Sequence, residues 1–128
     1  MAVYRQIYLS FWTDKKVKDE FTPEDRYFYL YLLTNPATNL CGCYELSMRQ
    51  TEADTGFNCE KLTNLLDRFE NELGLIHYDG ETGEVMIKNW YKYNWTKSGR
   101  FLSGVQQSIS DIKSQKLQSL VLEVYAHL

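Results

Sequence analysis

The period of the apolar positions changes several times along the chain, and each change marks an element. Ile7, Leu9 and Phe11 alternate with polar neighbours, the spacing of an extended arm with one buried side, and Trp12 should begin the packed part. Asp14 to Asp19 is charged, with Val17 as its only aliphatic residue, which predicts at most a short helical turn. Thr22, Pro23, Glu24 and Asp25 then make a strong helix start: a hydroxyl N-cap, proline at the first helical position and two acids in the turn that the dipole favours. That helix should run to about Thr34. Tyr27, Phe28, Leu30, Tyr31, Leu32 and Leu33 make it apolar on nearly every side, as at the centre of a small bundle, and Asn35-Pro36 stops it.

Asn39 to Glu45 is too short for a helix and reads as a strand. Ser47 with Gln50 matches a capping box, predicting a helix over Met48 to Thr55 that Gly56 ends. Asn58 caps the next helix, where Leu62, Leu65, Leu66, Phe69 and Leu73 recur at steps of three and four before Gly74 closes it. Leu75 to Tyr78 and Glu84 to Trp90 read as strands joined by the glycine-bearing loop Asp79 to Gly83. Helical periods resume with Val105, Ile109 and Ile112, and again with Leu117, Leu120, Val121, Val124 and Leu128. The expected class is mainly α with a small β-hairpin wing. In this order it is a winged helix-turn-helix over residues 1–96, with an N-terminal arm, followed by a C-terminal helical extension, 97–128, that packs on it or on a partner.

Composition narrows the setting. The chain has 128 residues, 44% hydrophobic and 24% charged, enough for one modest core. No apolar run reaches the roughly 20 residues of a membrane span, and no secretory signal opens the sequence, so a soluble intracellular protein with no membrane partner is expected. Cys41, Cys43 and Cys59 are an odd set, read as reduced thiols packing as small apolar groups. A zinc site would need a fourth ligand, and His77 and His127 lie outside any ligand spacing, so neither metal nor cofactor is expected.

The formal net charge of −3 hides a segregation. Leu46 to Ile87 holds three basic residues against nine acidic ones, whereas Lys88 onward holds six basic against two acidic.

Several segments together resemble phage replisome organisers and DnaD-like replication-initiation proteins. They are Ser10-Phe11-Trp12-Thr13-Asp14, Phe21-Thr22-Pro23-Glu24-Asp25, Tyr29-Leu30-Tyr31-Leu32-Leu33-Thr34-Asn35-Pro36, Cys41-Gly42-Cys43-Tyr44-Glu45 and Asn89-Trp90-Tyr91-Lys92-Tyr93-Asn94-Trp95. The likeness spans about the first three quarters of the chain. It implies an N-terminal winged-helix domain used in loading replication machinery at an origin, through DNA contact and self-association, in the cytoplasm of a bacterial host. It also implies partners: DNA, single- or double-stranded, a helicase or its loader, and a second copy in a homodimer or larger assembly. Family members commonly add a C-terminal domain with a tyrosine, isoleucine and tryptophan signature, which this chain lacks. A short phage protein and a fragment without its main DNA-binding half both fit.

In a winged helix the second helix of the turn motif enters the major groove, which makes Asn58, Lys61, Asn64 and Arg68 candidate DNA contacts, with Arg49 on the helix before it as a further one. Glu60 and Asp67 share that face and oppose phosphate binding. The better electrostatic candidate follows the wing, where Lys88, Lys92, Lys97 and Arg100 interleave with Trp90, Tyr91, Tyr93 and Trp95, a pattern that can hold phosphates and stack on bases. Packing of Trp90 and Tyr93 against the bundle is the competing reading. Tyr4, Tyr8, Phe11 and Trp12 are the candidate self-association group, with burial in the domain's own core as the alternative.

Catalysis is not expected: Gly80-Glu81-Thr82-Gly83 lacks the length and lysine of a phosphate loop, and His77 has no nucleophile in a recognised motif. Two other functions stay open beside the replication module: an oligomerisation module with little DNA affinity, and a transcriptional regulator.

Overall fold

The computed structural model describes residues 3–94 and 99–127, apart from the side chain of Tyr93. The chain is mainly helical with a small three-stranded antiparallel sheet. After a 3-10 turn at Leu9–Phe11 come α1 (Lys15–Asp19), α2 (Pro23–Thr34), β1 (Cys43–Glu45), α3 (Met48–Thr55) and α4 (Cys59–Asp67). There follow β2 (Ile76–Asp79), β3 (Glu84–Ile87), α5 (Trp90–Asn94), α6 (Gly99–Ser110) and α7 (Gln115–Ala126). Among the described residues no helix is long and apolar enough to cross a membrane.

Local chemistry explains where most helices begin. Thr22 and Asp25 exchange bonds in a complete capping box: the Asp25 N–H donates to Thr22 Oγ1 at 3.1 Å, and the Thr22 N–H donates to Asp25 Oδ2 at 2.9 Å. Ser47, Asn58 and Ser114 each accept from the backbone N–H three residues on, capping α3, α4 and α7. The Ser47 box is half made, because the Gln50 side chain reaches forward to Asp54. Gly56, at φ +81°, ends α3 in the left-handed region.

The sheet order is β1-β3-β2, so β3 is the middle strand, with Cys43 opposite Met86 and Tyr78 opposite Val85 in the two ladders. Side chains along a strand alternate between faces, and both faces of β3 are covered. Val85 and Ile87 join the core built from Phe28, Leu32, Leu62 and Phe69. Met86, with Cys41 and Cys43, joins a second core built from Val105, Ile109, Leu117 and Val121 of α6 and α7. The C-terminal helices therefore pack on the back of the sheet.

A buried carboxylate locks this second layer. Glu84 accepts from the N–H groups of Lys113 and Ser114, at 2.9 and 2.7 Å, just where α7 starts, and Ser114 Oγ donates to Asp79 Oδ2 at 2.6 Å. The hairpin thus supplies acceptors for donors at the helix start, where helical bonding leaves them unmet.

Four expectations are corrected. Leu9 is 88% exposed because the 3-10 turn breaks the alternation on which an extended arm depends, and Trp12 is 57% exposed rather than the start of the packed region. α2 is not apolar-buried all round: Phe28, Tyr29 and Leu32 face inward, while Tyr27 is exposed. The helix over Cys59 to Leu73 is α only to Asp67, then widens into a π turn over Arg68–Glu72, in which the Leu73 N–H donates to Arg68 O. β3 stops at Ile87, and Trp90 begins a helix instead of ending a strand.

Gly42 has φ +75°, and a methyl group there would overlap the buried Trp90 indole, whereas one at Gly56 would meet open space. Gly42→Ala should therefore cost about 3 kcal/mol, combining a left-handed residue with a core clash, against about 1 kcal/mol for Gly56→Ala. Urea denaturation of the two variants beside the parent checks the difference; equal losses would remove the Trp90 contact as its cause.

Candidate nucleic-acid interface

Exposed positions on α4 and its π extension are Cys59, Glu60, Thr63, Asn64, Asp67, Asn71 and Glu72. Asn71 donates to Asp67 at 2.7 Å, so one of the two amides is already engaged along the helix. Asn58 spends its side-chain oxygen on the Lys61 N–H, and Lys61 pairs with Glu24 of α2. These bonds fix the helix start, while the ammonium of Lys61 stays partly in water.

Arg68 is engaged in structural bonds. Its Nη2 lies 2.8 Å from Asp25 Oδ2 and 3.0 Å from Glu20 O, and its Nη1 lies 2.6 Å from Glu72. The partner Asp25 is a buried side chain in the α2 capping box. Burial works to raise its pKa, but the Arg68 hydrogen bonds and the Thr22 N–H outweigh that and hold the carboxyl below the usual range. Arg49 is exposed on α3 without an ion-pair partner among the described residues. The accessible face of α4 is therefore left acidic.

After the hairpin the interleaved pattern divides. Trp90 is 1% exposed, donates from Nε1 to Leu40 O at 3.1 Å, and carries the Arg5 guanidinium over its ring at 5.5 Å. It is packed, so it is not a stacking platform for a base. Lys88 is half-buried near His77, whose pKa is lowered by burial first and then by Lys88. Lys92 and Arg100 are exposed, with no ion pair among the described residues. Trp95, Lys97 and the side chain of Tyr93 lie outside the described residues.

Of the four arm aromatics, Tyr4, Tyr8 and Trp12 are exposed, joined by Val3 and Leu9. Phe11 is corrected: it is buried in the main core against Tyr29, with ring centroids 6.0 Å apart, and is not available to a partner. Arg5 ties the arm down by donating to Oγ1 and O of Thr38.

Between this arm and the body lies a cavity of about 70 Å³, with Phe11, Phe21 and Tyr29 among its walls and Asp14, Lys16, Asn89 and Asn94 among its polar lining. Sequence reasoning missed these four polar residues. The approach of Asp14 to Asn89 is a product of tertiary packing, and no spacing in the chain signals it. The Asn89–Asn94 pair bracketing α5 is the one local hint.

Burial pushes the Cys41 and Cys43 thiols up, keeping both protonated, and among the described residues no three His, Cys, Asp or Glu side chains are grouped to hold a metal ion.

Because Asp25 titrates lower folded than unfolded, its pair with Arg68 contributes stability above the unfolded value near pH 3.9, lost as pH falls through and below that value. Arg68→Ala should cost about 2 kcal/mol at pH 7, discounted for the partial exposure of the arginine, and much less at pH 2.5. Denaturant melts at the two pH values test this; a loss of equal size at both would refute the pair's role. Neither a protein family, a curated protein nor a solved structure matches the chain, so its function is read from these residues alone.

Proposed function

We propose that this chain is a winged-helix module of a phage or prophage replication-initiation protein, in the manner of replisome organisers and DnaD-like proteins. In this reading it meets nucleic acid through the basic segment after the hairpin, and not through α4. The observation that carries the reading is the order α2, β1, α3, α4, β2, β3 with β3 central in the sheet, in which the turn Gly56–Asn58 joins two helices directly ahead of a hairpin. A helix-turn-helix followed by a ribbon is the arrangement that brings a second helix and a wing to DNA.

Electrostatics shifts the contact away from the usual helix. Glu60 and Asp67 project from α4, and Glu81 sits in the hairpin loop, so a duplex laid across them meets negative charge. Lys92 and Arg100, with Lys97 between them in sequence, are cations of the segment after the hairpin that can bind phosphate. A helicase or its loader is the protein partner such a module serves.

A second activity, self-association, is favoured by one observation: Tyr4, Tyr8, Leu9 and Trp12 expose apolar surface from a single short segment. Large apolar groups gathered in one place on a surface mark a contact site. A purely protein-binding module remains the competing reading.

Fluorescence anisotropy of labelled single and double strands against salt tests the nucleic-acid reading. Lys92→Ala with Lys97→Ala should lower affinity about tenfold and flatten the slope of log K against log salt by about 1.5, as two phosphate contacts are lost. Unchanged affinity and slope would overturn the assignment. For self-association, sedimentation velocity should show a mass that rises with concentration, and Leu9→Asp with Trp12→Ala should return it to the monomer. A parent chain that stays monomeric at every concentration removes that activity.

A further inference from the structure

We propose that the outer edge of β1 takes up an extended, lysine- or arginine-bearing segment of a partner protein as a fourth strand of the sheet. The direction of the backbone groups carries this. The Ile87 N–H donates to Gly42 O and the Leu46 N–H donates to Gly83 O, so both ends of the ladder bond inward, as does Tyr44 opposite Val85 between them. Bonding alternates along an antiparallel strand, so the backbone groups of Cys43 and Glu45 point away from the sheet. Cys43 O accepts from Asn39 Nδ2 at 2.8 Å, whereas the N–H and C=O of Glu45 have no partner among the described residues.

The opposite edge is engaged. On β2 the Tyr78 N–H, which points outward in the same way, donates to Glu70 Oε2 at 3.0 Å, and the Leu75 N–H just before the strand donates to Phe69 O. The π turn thus lies against that side of the sheet, and β1 has no such cover at Glu45. An open strand edge is a template to which a further extended chain can add.

Charge selects the occupant. A groove beside β1 has Asn39, Cys43, Glu45, Ser108, Asp111 and Lys113 in its lining, with Glu84 as a third acid against the one lysine. Lys113 Nζ lies 3.6 Å from Glu45, with both side chains largely exposed, so that pair gives way at little cost. Cationic side chains at alternate positions of an added strand would share one face with Glu45 and meet the acidic groove. A second copy's β1 laid there would bring in another Glu45 and set like charges together, which disfavours self-pairing.

Labelled peptides of about six residues, the usual length of a strand, test the proposal by anisotropy with the full chain. One alternates lysine with valine, one glutamate with valine, and one lysine with proline, which keeps the charge and loses backbone donors. The lysine-valine peptide should bind about tenfold tighter than either of the others and protect the Glu45 amide from hydrogen exchange. Glu45→Lys keeps the outward N–H and reverses the charge; it should weaken the lysine-valine peptide about fivefold and strengthen the glutamate-valine one. Glu45→Pro removes an N–H that β3 does not use and should weaken the lysine-valine peptide about tenfold. Thermal melts confirm that each variant is folded, and should Glu45→Pro not fold, Glu45→Lys and the exchange measurement decide. Equal binding of the two lysine peptides, or a Glu45 amide left unprotected, would reduce the contact to surface attraction and overturn strand addition. No binding of any peptide would overturn it as well. A sedimentation mass that falls on Glu45→Lys would overturn the basic partner by showing that a second copy occupies the edge.

Discussion

Everything in this fold leans on β3, a four-residue strand with both faces buried. Val85 and Ile87 close one core while Met86 closes the other, so one short segment joins two helical layers. A two-stranded ribbon alone is marginal in water, and here the ribbon gains a third strand and helices on both sides. Glu84 completes the arrangement by holding the start of α7 with a fully satisfied carboxylate. The C-terminal helices are thus a structural layer, and the hairpin is anchored near its tip instead of swinging free.

Charge is used in the same economical way. Many carboxylates are committed to structure, among them Asp25 to Arg68, Asp54 to Tyr31 and Gln50, Glu70 to the Tyr78 N–H, and Asp79 and Glu84 to the turn before α7. The Tyr31 hydroxyl, pushed up to about 12 by burial and then by Asp54, stays a neutral donor across the α2–α3 contact. Cations are spent likewise, with Arg5 on Thr38 and Trp90 and Arg68 on two acids. The proposed contact lies in the short basic stretch after the hairpin, where Lys92 and Arg100 are exposed and aromatic residues interleave with the cations.

Elements governed by local chemistry were legible in the chain. Thr22-Pro23, Ser47, Gly56 and Asn58 each carry their own bond or dihedral, and the helices they bound fall where those residues say. What was hidden depended on packing at a distance. Trp90 follows a strand and looks like its end, yet its indole is drawn under the 40–42 segment by a bond to Leu40 and the space left by Gly42. Glu84 reads as a solvated hairpin acid until α7 arrives to be capped. Arg68 reads as a cation on a helix face until the capping box of α2, 43 residues earlier, claims it. The cavity was the least legible feature, since four separate segments build it.

The arm is held on one side and open on the other. Its inner side, through Ile7 and Phe11, forms part of the cavity against the body, while its outer side exposes Leu9 and Trp12. The fixed points are the Arg5 bonds to Thr38 and the buried ring of Phe11, so the exposed groups of Tyr4 to Trp12 are presented from a segment tied to the core at both ends. Apolar surface held in place costs less ordering entropy on contact than the same groups on a free tail, which is why the arm is the part of this chain best suited to self-association.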